Sequence, residues 1–320
     1  NAQRNKLGEQ SLAAYLIPNE DQFEQAASQN DQLTQWRDVW DGTYIEPSVG
    51  IDPKMDFCGW NSSYTGKPLP KQEMSAWVQA TVERILSLNP KRVLEIGCGT
   101  GLILHNLAPY CEQYVGTDFS TIALQRLQDT IDQRGDELKH VNLLQCSAHE
   151  IGQFKVGKFD CIVMNSVTQH FPSANYLIQV LKQCIDLLAY GGILFVGDVT
   201  NKLTREMFFT SIATHYEKSD STLSNIRAVV QQRLGNELEL VIEPAFFFQL
   251  PDSFDHISNV RTLLKRGDYR NELGDFRYDA IIKVGTSKSA SSVAPNSLVV
   301  WEEAGLESAN DLEQWLSARP

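Results

Sequence analysis

A glycine-rich turn between a short apolar run and a helix-forming segment constrains the fold of this chain more than any other feature. Residues 93–101 read VLEIGCGTG, so an apolar strand leads into Gly97, Gly99 and Gly101. Glycines let the backbone turn sharply and approach a ligand closely. A second apolar run ends on Asp118, where a carboxylate can accept both hydroxyls of a ribose. The pattern predicts a nucleotide-cofactor site at the end of a buried strand.

The glycine spacing separates two cofactors that both carry a ribose. A dinucleotide fingerprint, G-x-G-x-x-G, needs a third glycine where this chain has Leu102, and Glu95 stands two residues before the first glycine. This arrangement resembles motif I of class I S-adenosylmethionine-dependent methyltransferases. An NAD oxidoreductase is the alternative, and titration with both cofactors distinguishes the two.

Apolar runs alternate with amphipathic helical segments from the glycine turn to Val199. This order predicts an α/β fold of the Rossmann-like, class I methyltransferase type, with a mostly parallel sheet and helices on both faces. Two late β-like runs, 257–267 and 276–285, predict a closing antiparallel hairpin. The expected divisions are an N-terminal helical lid (1–78), the cofactor-binding core (79–200), a helical cap on the substrate side (201–255), the hairpin (256–285), and a linker and tail (286–320).

Composition excludes several classes of protein. The chain has 320 residues, 42% of them hydrophobic, and a net charge of −12, which argues against a nucleic-acid partner. Six cysteines lack paired CxxC spacing and no metal-ligand pattern occurs, so we expect reduced thiols, a cytoplasmic location and no metal. No apolar stretch approaches membrane-spanning length. The first residues contain neither an initiator Met nor a signal-peptide core, which suggests a piece of a longer protein.

Several longer stretches carry a more specific resemblance. WNSSYTGKPLPKQEM, NSVTQHFPSANYL and KRGDYRNELGDFRYDAIIKVG, together with the glycine turn, resemble the methyltransferase domains embedded in nonribosomal peptide synthetases and modular polyketide synthases. The similarity extends over nearly the whole chain. It implies an acyl or peptidyl substrate tethered to the phosphopantetheine arm of a carrier protein, with neighbouring domains of the same megasynthase as further partners.

S-adenosylmethionine has a methionyl end, a ribose and an adenine, each of which needs a different protein group. Gly97 and Gly99 can contact the methionyl part, Glu95 its ammonium and Asp118 the ribose. The other expected cofactor contacts are Gly101, Asn165 on the strand-end rim, Phe119, Ser147, Ala148 and His149 beside the adenine, and Tyr64 and Glu73 in a covering loop. For His149 the alternative is a rim residue in a solvated turn.

His170 is the expected catalytic residue. It occupies NSVTQHFPS, where similar nitrogen-methylating domains carry an aromatic residue, and a neutral imidazole there suits a general base for oxygen, or for carbon beside a carbonyl. Such a base works best beside a carboxylate, for which Glu239, Glu243 and Glu272 are the candidates and Glu239 is favoured. Asn271 or Glu272 is expected to position the substrate. The alternative for His170 is a packing or helix-capping residue.

These residues favour an O-methyltransferase that acts on a hydroxyl, expected to be the β-hydroxyl, of a carrier-bound acyl chain. Nitrogen methylation of a carrier-bound aminoacyl group is the stronger alternative, because the surrounding segments resemble nitrogen-methylating domains closely. Methylation of an α-carbon and a cofactor-binding scaffold without activity are weaker alternatives.

Overall fold

The computed structural model describes residues 2–4, 10–12, 29–44, 52–153, 157–216 and 222–285, with the single positions 308 and 311. Apart from these two positions, the predicted linker and tail (286–320) lie outside the described residues. Within the described part of the chain, no helix combines the length and apolar character needed to cross a bilayer.

Helices and strands alternate along the chain. They are β1 (Ala2–Arg4), β2 (Gln10–Leu12), α1 (Gln29–Tyr44), α2 (Lys71–Leu86), β3 (Arg92–Ile96), α3 (Leu104–Leu107), β4 (Gln113–Asp118), α4 (Thr121–Arg134), β5 (Val141–Gln145), β6 (Phe159–Asn165), α5 (Ala174–Leu187), β7 (Leu188–Thr200), α6 (Arg205–Tyr216), α7 (Leu223–Gly235), α8 (Pro244–Ser253), β8 (Ile257–Leu264), α9 (Glu272–Asp275) and β9 (Arg277–Val284).

The core is a seven-stranded sheet in the order β5-β4-β3-β6-β7-β9-β8. Strands β3 to β7 run parallel, β9 pairs antiparallel with β7, and β8 pairs antiparallel with β9. The predicted α/β fold and closing hairpin are therefore confirmed. Of the two hairpin strands, β9 lies between β7 and β8 and β8 lies at the edge of the sheet. Residues of β9 are buried along nearly its whole length, whereas the last residues of β8 are partly or fully exposed.

Local sequence explains where the helices flanking the cofactor side begin. Ser120 and Ser173 stand before α4 and α5, and their hydroxyls accept hydrogen bonds from the backbone N–H of Ala123 and Tyr176 at 3.1 and 3.2 Å. Each such cap stabilises a helix by about 1 kcal/mol. Helix α3 is shorter than its apolar pattern suggests because Pro109 follows, and the chain continues as a short 3₁₀ turn.

The expected lid and cap correspond to segments outside the parallel strands. Helices α1 and α2 precede the sheet, but a boundary at residue 78 falls inside α2, whose Trp77, Val78 and Ile85 are buried in the core. Helices α6 and α7 pack against each other around Phe208 and Val230, between β7 and β8. The proposed division into segments therefore stays a prediction, with α2 belonging to the packed core.

Candidate active site

A pocket lies at the carboxyl ends of β3 to β6 and is covered by α1. Strand ends of this kind form the ligand crevice of open α/β sheets. The pocket brings together nine of the residues singled out from sequence: Glu95, Gly97, Gly99, Asp118, Phe119, Ser147, Ala148, Asn165 and His170.

The glycine turn gives the pocket its floor. Gly97 and Gly99 have φ angles of +72° and +51°, in the left-handed region that favours glycine. A Cβ on Gly97 would lie 2.5 Å from Val167 Cγ2, and one on Gly99 would lie 3.1 Å from the hydroxyl of Tyr44. The backbone thus passes where a side chain would not fit, which suits close contact with the methionyl part of S-adenosylmethionine.

Asp118 is held at the tip of β4 by backbone donors. Its Oδ2 accepts from the N–H of Gly99 at 2.9 Å and its Oδ1 from the N–H of Ser120 at 2.8 Å. Burial raises the pKa of the Asp118 carboxyl, and these backbone hydrogen bonds oppose the shift. A carboxylate has further lone pairs beyond those two bonds. The geometry therefore fits acceptance of ribose hydroxyls.

Glu95 is a buried carboxyl beside the glycine turn. Its Oε2 accepts a hydrogen bond from the hydroxyl of Tyr114 at 2.7 Å. Burial raises the pKa of Glu95 to about 8, against the opposing effect of the Tyr114 hydroxyl. A buried carboxyl in this state is a site for a cation such as the ammonium of S-adenosylmethionine, because a positive partner favours its charged form.

The Glu95 pKa predicts how stability depends on pH in the cofactor-free protein. The folded pKa lies above the unfolded value of 4.5, so folded Glu95 holds a proton that unfolding releases between pH 4.5 and about 8. Stability is therefore lost as pH rises through this window. We expect the free energy of unfolding of wild type to fall, relative to Glu95→Gln, by up to about 1.4 kcal/mol per pH unit.

Urea unfolding at pH 6, 7 and 8 measures this difference. The exposed Glu112→Gln variant controls for the substitution itself. If wild type and Glu95→Gln lose stability in parallel over these pH values, the assignment of a raised Glu95 pKa is wrong.

Aromatic side chains of α1 form the cover of the pocket. Trp36, Trp40 and Tyr44 lie on one face of the helix at four-residue spacing and line the pocket. The His170 ring lies 4.4 Å from Trp36 and 5.4 Å from Trp40, measured between ring centroids. Sequence reasoning missed these residues, although the W-x₃-W-x₃-Y spacing was the available signal. They enclose the site in apolar surface, which excludes water.

Four residues expected at the cofactor lie outside the pocket lining: His149, Tyr64, Gly101 and Glu73. His149 Nδ1 is 2.9 Å from the hydroxyl of Tyr176, and it is Tyr176 that lines the pocket. The hydroxyl of Tyr64 is 2.7 Å from Ser211 Oγ, so this tyrosine fastens its loop to α6. Gly101 permits the turn at φ +86° without lining the pocket.

Asn271, Glu272 and Glu73 also have structural partners elsewhere. Asn271 Nδ2 donates to Glu73 Oε2 at 2.8 Å, while Asn271 Oδ1 caps α9 by accepting from the N–H of Leu273. Glu272 Oε1 accepts from the N–H of Ser63 at 2.7 Å. These bonds tie the loop before α2 and the first turn of α2 to the β8–β9 connection. The structure does not place the three residues at the pocket.

His170 lacks the carboxylate partner expected from the sequence. Within the described residues its buried Nδ1 has no hydrogen-bond partner. Burial first and the Arg277 guanidinium second lower the pKa of His170 to about 3. Glu239 is paired instead with Arg205, at 3.1 Å, and accepts from the Thr200 hydroxyl at 3.4 Å. The cation on α6 draws Glu239 into the cap, so the predicted His170–Glu239 pair is not formed.

Comparisons with known proteins agree with this arrangement. A family model described as a methyltransferase domain matches residues 94–194. The chain is 42% identical to chondramide synthase cmdD of Chondromyces crocatus over 96% of its own length and 8% of the synthase. It is 37% identical to the probable non-canonical nonribosomal peptide synthetase CymA of Salinispora arenicola, over 89% of this chain and 4% of that protein. The chain thus spans a small part of these relatives.

Solved structures show the same fold. Magnesium protoporphyrin IX methyltransferase from Synechocystis PCC 6803, with S-adenosylhomocysteine bound, is 17% identical with a TM-score of 0.51, covering 80% of this chain and all of that one. The same enzyme with S-adenosylmethionine bound has a TM-score of 0.50 at 16% identity, covering 81% of this chain and 99% of that one. Fold, glycine turn and family match together identify the cofactor as S-adenosylmethionine. Residues 94–194 therefore match a methyltransferase domain, the described sheet has the class I methyltransferase fold, and the chain is similar, over nearly all of its length, to segments of nonribosomal peptide synthetases.

Proposed function

We propose that the chain methylates the nitrogen of an aminoacyl group tethered as a thioester to a carrier protein of a nonribosomal peptide synthetase. The relatives are peptide synthetases by name, and such enzymes handle amino acids. The observation that carries the choice of nitrogen over oxygen is the state of His170: its buried Nδ1 has no hydrogen-bond partner, its pKa is lowered by burial and by the Arg277 charge, and it is not paired with Glu239.

The acidity of the acceptor decides how much base the reaction needs. An α-amino group has a pKa near 8, so a useful fraction is the free base at neutral pH. An aliphatic hydroxyl must lose its proton as the new bond forms, which requires a general base. With a pKa of about 3, His170 would hold a proton at pH 7 in only about one molecule in ten thousand. It is a weak base for oxygen, whereas nitrogen needs mainly positioning.

The other residues of the pocket would bind the cofactor and exclude water. When bound, S-adenosylmethionine supplies the methyl group of its sulfonium, which passes to the acceptor with loss of the acceptor's proton and release of S-adenosylhomocysteine. Glu95, Asp118 and the glycine turn would hold its ammonium, ribose and methionyl parts. Trp36 and Trp40 exclude water around His170.

Oxygen methylation is the second candidate, because a histidine stands where similar nitrogen-methylating domains carry an aromatic residue. In that case the imidazole of His170 would accept the hydroxyl proton directly, with Trp36 and Trp40 in place of a carboxylate beside it.

A matched pair of acceptors tests the proposal. Carrier proteins, or N-acetylcysteamine thioesters, are loaded with an aminoacyl group and with the α-hydroxyacyl group of the same side chain. We expect intact-mass analysis to show methylation of the aminoacyl thioester by wild type and by His170→Ala, within about tenfold in rate, because positioning and not proton removal dominates. Methylation of the hydroxyacyl thioester, abolished by His170→Ala, would establish the oxygen alternative. A β-ketoacyl thioester tests carbon methylation.

A further inference from the structure

Unpaired buried polar atoms are concentrated in one segment. In the described part of the chain, five buried side-chain atoms lack a hydrogen-bond partner, and four of them are Asn165 Oδ1, Thr168 Oγ1, Gln169 Oε1 and His170 Nδ1. Buried polar groups in folded proteins nearly always have partners, so such a cluster needs an explanation. Asn165 and His170 line the pocket. For these two residues, a polar group of a ligand in the pocket would complete the bonding.

The amide of Asn165 has a defined orientation. Its Nδ2 donates to Ser166 Oγ at 3.3 Å, and that hydroxyl donates to Asp198 Oδ2 at 2.7 Å. Since the hydroxyl proton is used on a carboxylate, the Ser166 oxygen can only accept from Asn165. The amide therefore turns its NH₂ toward Ser166 and leaves Oδ1 as an unpaired acceptor. Asp198 is itself fully buried and paired with Arg277.

The two residues that orient Asn165 are held in costly backbone conformations. Ser166 and Asp198 have φ angles of +57° and +59°, which are rare for residues other than glycine. The Ser166 N–H also donates to the carbonyl of Gly197 at 3.0 Å. Backbone strain of this kind collects at functional sites, where the surrounding structure maintains it.

Asn165 Oδ1 faces away from the groups expected to hold the cofactor. Asn165 on β6 is the register partner of Gly197 on β7, and a Cβ on Gly197 would overlap Oδ1. The amide oxygen thus lies over β7. Gly97 and Asp118 lie at the ends of β3 and β4, on the opposite side of β6. Oδ1 therefore lies on the β7 side of β6, away from the residues expected to hold the cofactor.

We propose that Asn165 Oδ1 accepts a hydrogen bond from the N–H of the acceptor amine and so orients the nitrogen lone pair, with Ser166 and Asp198 as positioning residues. The inference rests on the nitrogen acceptor proposed above, and it replaces the cofactor contact that the sequence suggested for Asn165. A neutral amide oxygen suits this task. A carboxylate at the same place would favour the protonated ammonium, which has no free lone pair.

Asn165→Ala and the isosteric Asn165→Asp test the proposal. Cofactor binding is measured by calorimetry with S-adenosylhomocysteine. Activity is measured with one N-acetylcysteamine thioester, chosen from the alanyl, leucyl and tyrosyl compounds as the one that wild type methylates fastest. Both variants should bind S-adenosylhomocysteine within about threefold of wild type yet lose about 100-fold in kcat/KM for the thioester. Asn165→Asp should also move the acid limb of the pH–rate profile upward, by about one pH unit.

Two control variants distinguish a loss of Asn165 orientation from a general loss of stability. Ser166→Ala should lower kcat more than it raises KM and leave the pH profile in place, because the Asn165 amide becomes free to rotate. Thr222→Ala removes a helix cap on α7, away from the pocket, and should lower the melting temperature without changing kcat/KM.

Two results would overturn the assignment. The first is a kcat/KM of Asn165→Ala equal to that of wild type. The second is an Asn165→Ala protein whose affinity for S-adenosylhomocysteine falls by more than about tenfold while its KM for the thioester is unchanged, which would mean that Oδ1 contacts the cofactor. If Asn165→Ala does not fold, Asn165→Asp supplies the same readouts. Failure of the nitrogen proposal is seen in wild type, which would then methylate hydroxyacyl and not aminoacyl thioesters, whereas failure of the Asn165 assignment is seen only in the variants.

Discussion

Replacing Asp198 with alanine is expected to lower the free energy of unfolding by about 3–5 kcal/mol, because it leaves the largely buried Arg277 guanidinium without its carboxylate, whereas Lys265 keeps Asp279 at 3.0 Å. Asp198 is fully buried and paired with Arg277, with Lys265 Nζ at 3.7 Å. It also accepts hydrogen bonds from Trp77 Nε1 at 3.2 Å and from the Ser166 hydroxyl. Although burial opposes ionisation, Arg277 and Lys265 hold the pKa of Asp198 below its usual value. Urea unfolding at pH 7 measures the loss.

Two further variants serve as controls. One separates the effect of losing the Asp198 charge from the effect of backbone strain, and the other compares this buried ion pair with an exposed one. Asp198 has a positive φ, so Asp198→Gly relieves the strain and still removes the charge. It should be nearly as unstable as Asp198→Ala. Asp136→Ala removes an exposed pair with Lys139 at 3.5 Å and should cost little. Equal losses in Asp198→Ala and Asp136→Ala would contradict the importance of burial.

Gly97→Ala is expected to have the second-largest effect and to act on cofactor binding. The new Cβ would face two penalties, a φ of +72° and a position 2.5 Å from Val167 Cγ2. The strained φ costs about 1–2 kcal/mol, and overpacking adds about 1–3 kcal/mol. Because the glycine turn must shift to make room, we expect affinity for S-adenosylhomocysteine to fall by about 10- to 100-fold. Isothermal titration calorimetry measures this change.

Gly191→Ala is the matched control, because Gly191 has a similar φ of +80° and open space around its missing Cβ. Gly191→Ala should lose only the stability that the strained φ costs and should keep its affinity for S-adenosylhomocysteine. The double variant Gly97→Ala, Val167→Ala removes the clashing methyl groups. If it recovers no affinity relative to Gly97→Ala, steric displacement of the turn is not the cause.

Much of the fold could be predicted because its signals are local. The run of apolar strands, the glycine turn and the acidic end of β4 each appear within a few neighbouring residues, and alternation of strands with helices implies a parallel sheet. The late hairpin was also visible, although which of its strands lies inside depends on how completely each is buried. The extent of α3 was less predictable, because Pro109 ends an apolar pattern that would otherwise continue.

The binding site also has features that the local sequence predicts and features that depend on tertiary packing. The sequence by itself determined the class I methyltransferase fold, the cofactor and the strand ends that carry Glu95, Gly97 and Asp118. Only the tertiary structure decided that Glu239 pairs with Arg205 and that Asn165 turns its oxygen toward β7. Strand and helix periodicity specifies which face of an element is buried, but it does not specify which side chain of another element meets it. The partners of polar groups, and hence the choice of acceptor atom, depend on that packing.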